Sequence, residues 1–178
     1  INSLEKLTLF KANLSDIIAC FDEVHAQIRG DYADECVEFM TMISKSKVIS
    51  YQHLPKNNWM KTTFMMVQNV KSRSVFSFFE DHKLVGSIKN FKNILADFDR
   101  LELDYLCYSF FQASVLDIKN ILPLKPARYQ YFSVIDINEK KVELIGKISE
   151  KYCTYSSISI SSVSYLKKLL AEENKRFL

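Results

Sequence analysis

Apolar positions in this chain switch repeatedly between strand-like runs and helical stripes. The sharpest run is Ser74-Val75-Phe76-Ser77-Phe78-Phe79, which stops abruptly at Glu80, Asp81 and His82. A run bulky on both faces predicts a strand covered on both sides, as in the middle of a parallel sheet. Upstream, residues 7–11 (Leu-Thr-Leu-Phe-Lys) predict a short strand. Asn13 follows as a helix N-cap with Asp16 in the capping-box position, and Leu14, Ile17, Ile18, Phe21, Val24 and Ile28 recur at helical spacing as far as Gly30. Residues 31–46 predict a second helix with Val37, Met40 and Ile43 inward. Asp31, Asp34, Glu35 and Glu38 crowd its first turns, as suits the positive end of a helix, and read as a solvated face.

Residues 47–53 predict the next strand. A helix then carries Trp59, Thr63, Met66, Val67 and Val70 on one face and feeds into the run at 74–79. Gly86 and Ser87 open another helix, with Ile88, Phe91, Ile94, Leu95 and Phe98 inward, and residues 103–108 predict a strand. The order β-α-α-β-α-β-α-β predicts an α/β fold: a mostly parallel central sheet with helices on both faces, related to the Rossmann class. The last third changes character. Residues 129–136 and 141–145 predict two strands joined at Asn138 and Glu139, hence an antiparallel hairpin. Residues 156–164 are rich in serine, and a final helix from Ser161 or Ser162 carries Leu166, Leu169 and Leu170. With neither a repeat nor a boundary in the pattern, residues 1–178 are expected to form one domain.

Composition narrows the function classes. A chain that is 48% hydrophobic and 13% aromatic is not disordered. A net charge of +3 is too small to imply nucleic acid. No uninterrupted apolar stretch approaches about 18 residues, so no membrane span is expected. Cys20, Cys36, Cys107 and Cys153 form no C-x-x-C pair, a pattern that suits reduced thiols and a cytoplasmic protein. The start at Ile1, without an initiator Met or a signal-peptide pattern, suits a fragment of a longer chain.

The candidate chemistry lies at the end of the run at 74–79. Ligands of open α/β sheets bind beyond the carboxyl ends of strands. If strand geometry persists, Glu80 and His82 point the same way, and an acid and an imidazole on one face can share a metal ion. The plain alternative is a polar exit from a strand into a loop. His25, beside the apolar face of the predicted first helix, reads as a packed, hydrogen-bonded histidine. His53 ends its strand as the run at 74–79 ends near His82. Cys153, between Tyr152 and Tyr155, lacks an evident base and is not read as a nucleophile.

This order and this strand end resemble the GT-A type of glycosyltransferase, in particular bacterial family-2-like enzymes of polysaccharide assembly. Residues 59–70 resemble the helix before that family's acidic motif, residues 75–79 the strand that delivers it, and Glu80-Asp81-His82 the motif itself. Glu80-x-His82 is similar to the D-x-H variant of the usual D-x-D. Residues 104–109 resemble the strand after the motif. The chain departs from the family in lacking a proline–tyrosine–asparagine opening loop, in lacking a second early strand ending in aspartate, and in carrying Glu80 and His82 where aspartates are usual.

The resemblance implies a nucleotide-sugar donor, a polysaccharide or glycan acceptor, and a Mn²⁺ or Mg²⁺ ion held by Glu80, Asp81 and His82. It implies Asp81, Lys11, Asn13 and Lys61 as donor-binding groups, the lysines as phosphate partners. For Lys11 and Lys61 the alternative is a solvated lysine. A general base is needed for inverting transfer. Asp104 is the candidate, with Asp117 and Asp136 left open. The setting implied is the cytoplasm, at the inner face of a bacterial membrane. Two rivals stand beside this reading. One is a non-catalytic α/β module binding a nucleotide or a partner protein. The other is a metal-dependent hydrolase using His53, His82 and Asp81.

Overall fold

The hexapeptide Glu-Val-His-Ala-Gln-Ile, expected to end the first helix, is instead a strand, β1 (Glu23–Ile28). Val24, Ala26 and Ile28 alternate with Glu23, His25 and Gln27, and period two sends the two sets to opposite faces. The helical spacing of Phe21, Val24 and Ile28 is accidental, because Val24 and Ile28 also fit an alternating pattern. The structure, a computed structural model, describes residues 5, 8, 11, 15, 17–18, 20–28, 32–44, 47–52, 59–78, 88–108, 126–136, 138, 140–141 and 158–171. Two compact units divide the chain, residues 1–106 with 160–178 and residues 107–159.

In the first unit Glu5, Thr8, Lys11, Ser15, Ile17 and Ile18 are helical. The strand expected at 7–11 is therefore helical at Thr8 and Lys11; an apolar run that short does not discriminate by periodicity. Backbone bonds from Cys20 to Ile17 (2.9 Å) and from Phe21 to Ile18 (3.0 Å) close this segment. After β1 come α1 (Ala33–Ile43) and β2 (Lys47–Gln52), both close to expectation. β1 and β2 pair in parallel, with Val24 opposite Val48 and Ile28 opposite Gln52. Val24, Ala26, Ile28 and Val48 pack with Ile18, Val37, Met40 and Ile43. Thus α1 and the leading helical segment cover one face of the pair. Met40 is the fully buried residue of α1, and burial of such a side chain is worth about 1.5–3 kcal/mol.

Next come α2 (Trp59–Gln68), β3 (Ser74–Ser77), a 3₁₀ turn (Ile88–Asn90), α3 (Phe91–Arg100) and β4 (Tyr105–Cys107). This part of the expected order stands. Phe76 of β3 stacks on Phe21 at 5.9 Å and meets Phe91 edge-on at 4.9 Å, with Phe78 6.0 Å away. The apolar run of β3 is thus spent on an aromatic cluster with α3. A full set of C-terminal bonds ends α3. Glu102 N–H donates to Asp99 C=O (3.2 Å) and Leu103 N–H to Phe98 C=O (3.2 Å). Glu102 occupies the left-handed region at φ 53°, the position where helices usually place glycine.

The expected mostly parallel central sheet is overturned. The described strands form a parallel pair β1-β2 and a three-stranded sheet in the order β3-β7-β4, where β7 is Ser159–Ser162. A third sheet pairs β5 (Ala127–Arg128) with β6 (Ser133–Val134). Ser162 N–H donates to Asp104 C=O (2.8 Å), and Tyr108 N–H to Ile158 C=O (3.0 Å). Residue numbers rise on one strand as they fall on the other, so β4 and β7 run antiparallel.

The serine-rich stretch is thus a central strand, with Ser159, Ile160 and Ser161 each 0% exposed. It lacks the bulky apolar run that marks β3, and its partners lie far away in sequence. Ser162 also caps α4 (Val163–Ala171): its Oγ accepts from Tyr165 N–H at 3.1 Å. Leu166 buries the inner face of α4, and α2 lies against it.

In the second unit a described hairpin lies at residues 127–134, and residues 142–145 of the expected second strand lie outside the described residues. β5 and β6 pair antiparallel, Ala127 with Val134 and Arg128 with Ser133. Tyr129 N–H donates to Phe132 C=O at 2.8 Å, leaving Gln130 and Tyr131 as the loop. Lys140 and Lys141, expected in or beside the second strand, are helical. Asn138 Oδ1 accepts from Lys141 N–H at 3.1 Å, as an N-cap does, and this starts a helix where a strand turn was expected.

Candidate functional site

A parallel strand–helix–strand unit leaves a gap where both strands end and the helix begins. In β1-α1-β2 that gap is an open cleft of about 410 Å³. Its floor is apolar: Ile28 at the end of β1, with Ala33 and Val37 of α1. Its rim is polar. Ser50 and Tyr51 come from the end of β2, and Asp34 and Glu38 from α1. Asp34 and Glu38 lie four residues apart on a helix, so their side chains share a face. Both are exposed and free to meet a ligand from solvent. Ser50 pairs with Ala26 in register, which sets it on the α1 side of the pair. The Tyr51 hydroxyl accepts a hydrogen bond from Asn69 Nδ2 at 2.8 Å, and Asn69 Nδ2 also reaches Met65 C=O at 3.1 Å. The end of α2 therefore holds the Tyr51 ring in place.

Chemically the cleft presents the Asp34 and Glu38 carboxylates and the Ser50 hydroxyl beside apolar side chains, and among the described residues no basic side chain lines it. Carboxylates accept hydrogen bonds from ribose or sugar hydroxyls and repel phosphate. Asp34 also serves the helix, since acids in a first turn oppose its dipole. Sequence periodicity reads these acids as a solvated face. Treating residues 23–28 as a strand is the signal that would have drawn attention to them, because Asp34 and Glu38 then follow a strand's carboxyl end.

The residues expected to act lie elsewhere. Glu80, Asp81 and His82 fall outside the described residues, as do Asn13 and His53. Lys11 is half-buried in the leading helical segment, with Nζ 5.5 Å from the centre of the Phe39 ring of α1, a cation–π distance. Lys61 is an exposed residue of α2. Neither lines the cleft, and neither does Asp104.

Asp104 is exposed just ahead of β4, where its Oδ1 accepts from the Ser162 hydroxyl at 3.2 Å. That same hydroxyl caps α4 and lies 3.1 Å from Ser164 Oγ. The carboxylate of Asp104 is thus anchored at the start of a helix, a placement that stabilises negative charge. Asp136 is exposed, and its carbonyl accepts from Lys141 Nζ at 2.6 Å. Asp117 lies outside the described residues.

His25 belongs to β1, not to a helix. Its Nε2 lies 2.5 Å from Glu23 Oε1, and its side chain is 9% exposed. The packed, hydrogen-bonded reading holds, with a strand neighbour as partner. Among the described residues no group of three His, Cys, Asp or Glu side chains could hold a metal ion. Nor is any described helix long and apolar enough to cross a membrane. Cys20, Cys36 and Cys107 form no disulfide among the described residues. Comparison with protein-family models, curated proteins and solved structures finds no match to this chain.

Proposed function

We propose that the chain binds a nucleotide-sugar and transfers its sugar to a glycan hydroxyl. One observation supports the reading above others: a cleft at the carboxyl end of a parallel strand–helix–strand unit, where α/β folds bind nucleotides. Its hydroxyl and carboxylate rim suits the ribose and base of the donor, and its apolar floor suits the flat faces of both. The order α2, then β3, then Glu80-Asp81-His82 in sequence adds support, because the motif follows a helix and a strand in the chain.

In transfer, the acceptor oxygen forms a bond to the sugar's anomeric carbon as the bond to the diphosphate breaks. The acceptor's proton passes to a carboxylate, for which the resemblance implies Asp104, a residue outside the cleft lining, and the nucleoside diphosphate leaves. A divalent ion at Glu80, Asp81 and His82 would offset charge on the departing phosphates. A second reading is a nucleotide-binding module without transfer. The small, separate sheets favour it, since the fold does not carry the family's central sheet.

The test combines thermal shift with a release assay. UDP-, GDP-, CMP- and dTDP-sugars are offered with Mn²⁺, Mg²⁺ or EDTA to the wild type and to Ser50→Phe, Glu80→Ala and His82→Ala. A donor at about 100 times its Kd should stabilise the wild type by about 2.7 kcal/mol. Ser50→Phe, which fills the cleft from an exposed position, should remove that shift. The motif variants should abolish release of the nucleotide (the nucleoside diphosphate, or CMP from a CMP-sugar). Binding with no release in the wild type, across acceptors, selects the module. No shift with any nucleotide in folded protein overturns both readings.

A further inference from the structure

We draw no further inference here: the strongest candidate, the Glu23–His25 pair on the polar face of β1, has a carboxylate on Nε2 but no trio of ligating side chains around it among the described residues, and nothing in the structure shows what the unpartnered Nδ1 of this mostly buried ring would meet.

Discussion

Replacing Ser162 by alanine separates the structural work of Asp104 from any catalytic work. Ser162 is 4% exposed, and its single hydroxyl meets three partners, one of them Ser164 Oγ at 3.1 Å. It accepts the Tyr165 amide at 3.1 Å and faces Asp104 Oδ1 at 3.2 Å. Losing a serine N-cap costs about 1 kcal/mol. Losing the bond to an exposed carboxylate adds about 0.5–1 kcal/mol. Ser162→Ala should therefore destabilise the protein by about 1.5–2 kcal/mol, a drop in Tm of about 3–8 °C for a chain of this size.

Asp104→Asn keeps an oxygen that can accept the same hydrogen bond at an exposed position. It should change stability by less than about 0.5 kcal/mol. Both variants are read by urea denaturation followed by far-UV circular dichroism, with wild type alongside. If Asp104 is the base for transfer, Asp104→Asn loses activity while keeping its stability. A Ser162→Ala midpoint equal to wild type would refute the assignment of this hydroxyl as cap and anchor. An Asp104→Asn protein that is both stable and active would remove Asp104 from the chemistry.

Glu102→Gly should stabilise the protein by about 0.5–1 kcal/mol, because a non-glycine residue at φ 53° carries a steric cost that glycine lacks, partly offset by glycine's freer unfolded chain. Thermal denaturation checks it, and a lower Tm would contradict the left-handed cap. Ser161→Ala should stabilise by about 1 kcal/mol, since its buried hydroxyl has no hydrogen-bond partner among the described residues and such a group costs about 1–3 kcal/mol. A loss of stability in chemical denaturation would reveal a partner for that hydroxyl.

Burial pushes the Tyr108 phenol above its ordinary range. A raised folded pKa means this contribution is intact below the unfolded value, near 10, and is lost as pH rises through the folded value. Denaturation midpoints should therefore fall faster at alkaline pH in wild type than in Tyr108→Phe. Equal slopes in that range would contradict the burial of the phenol.

Local physics was legible in the chain itself. Ala33–Ile43, Trp59–Gln68 and Phe91–Arg100 carry apolar stripes at helical spacing, and the apolar run at Ser74–Ser77 marks a strand, although that strand is half-buried at the edge of its sheet rather than covered in the middle of one. These patterns survive folding because each states which face must leave water. The candidate cleft was only half legible. Asp34 and Glu38 were visible as acids at a helix start, but their meaning depends on Ile28 being the end of a strand.

Pairing between distant segments was decided by tertiary structure. Residues 23–28 satisfy both a helical and an alternating pattern, and parallel pairing with β2 selects the strand. Ser159–Ser162 has little apolar signal, yet it is the buried centre of a sheet because β3 and β4 supply backbone partners on both sides. Periodicity reports the exposure of faces within one segment. It carries no information on which strand lies beside which, and that choice turned an expected parallel sheet into small sheets among the described residues.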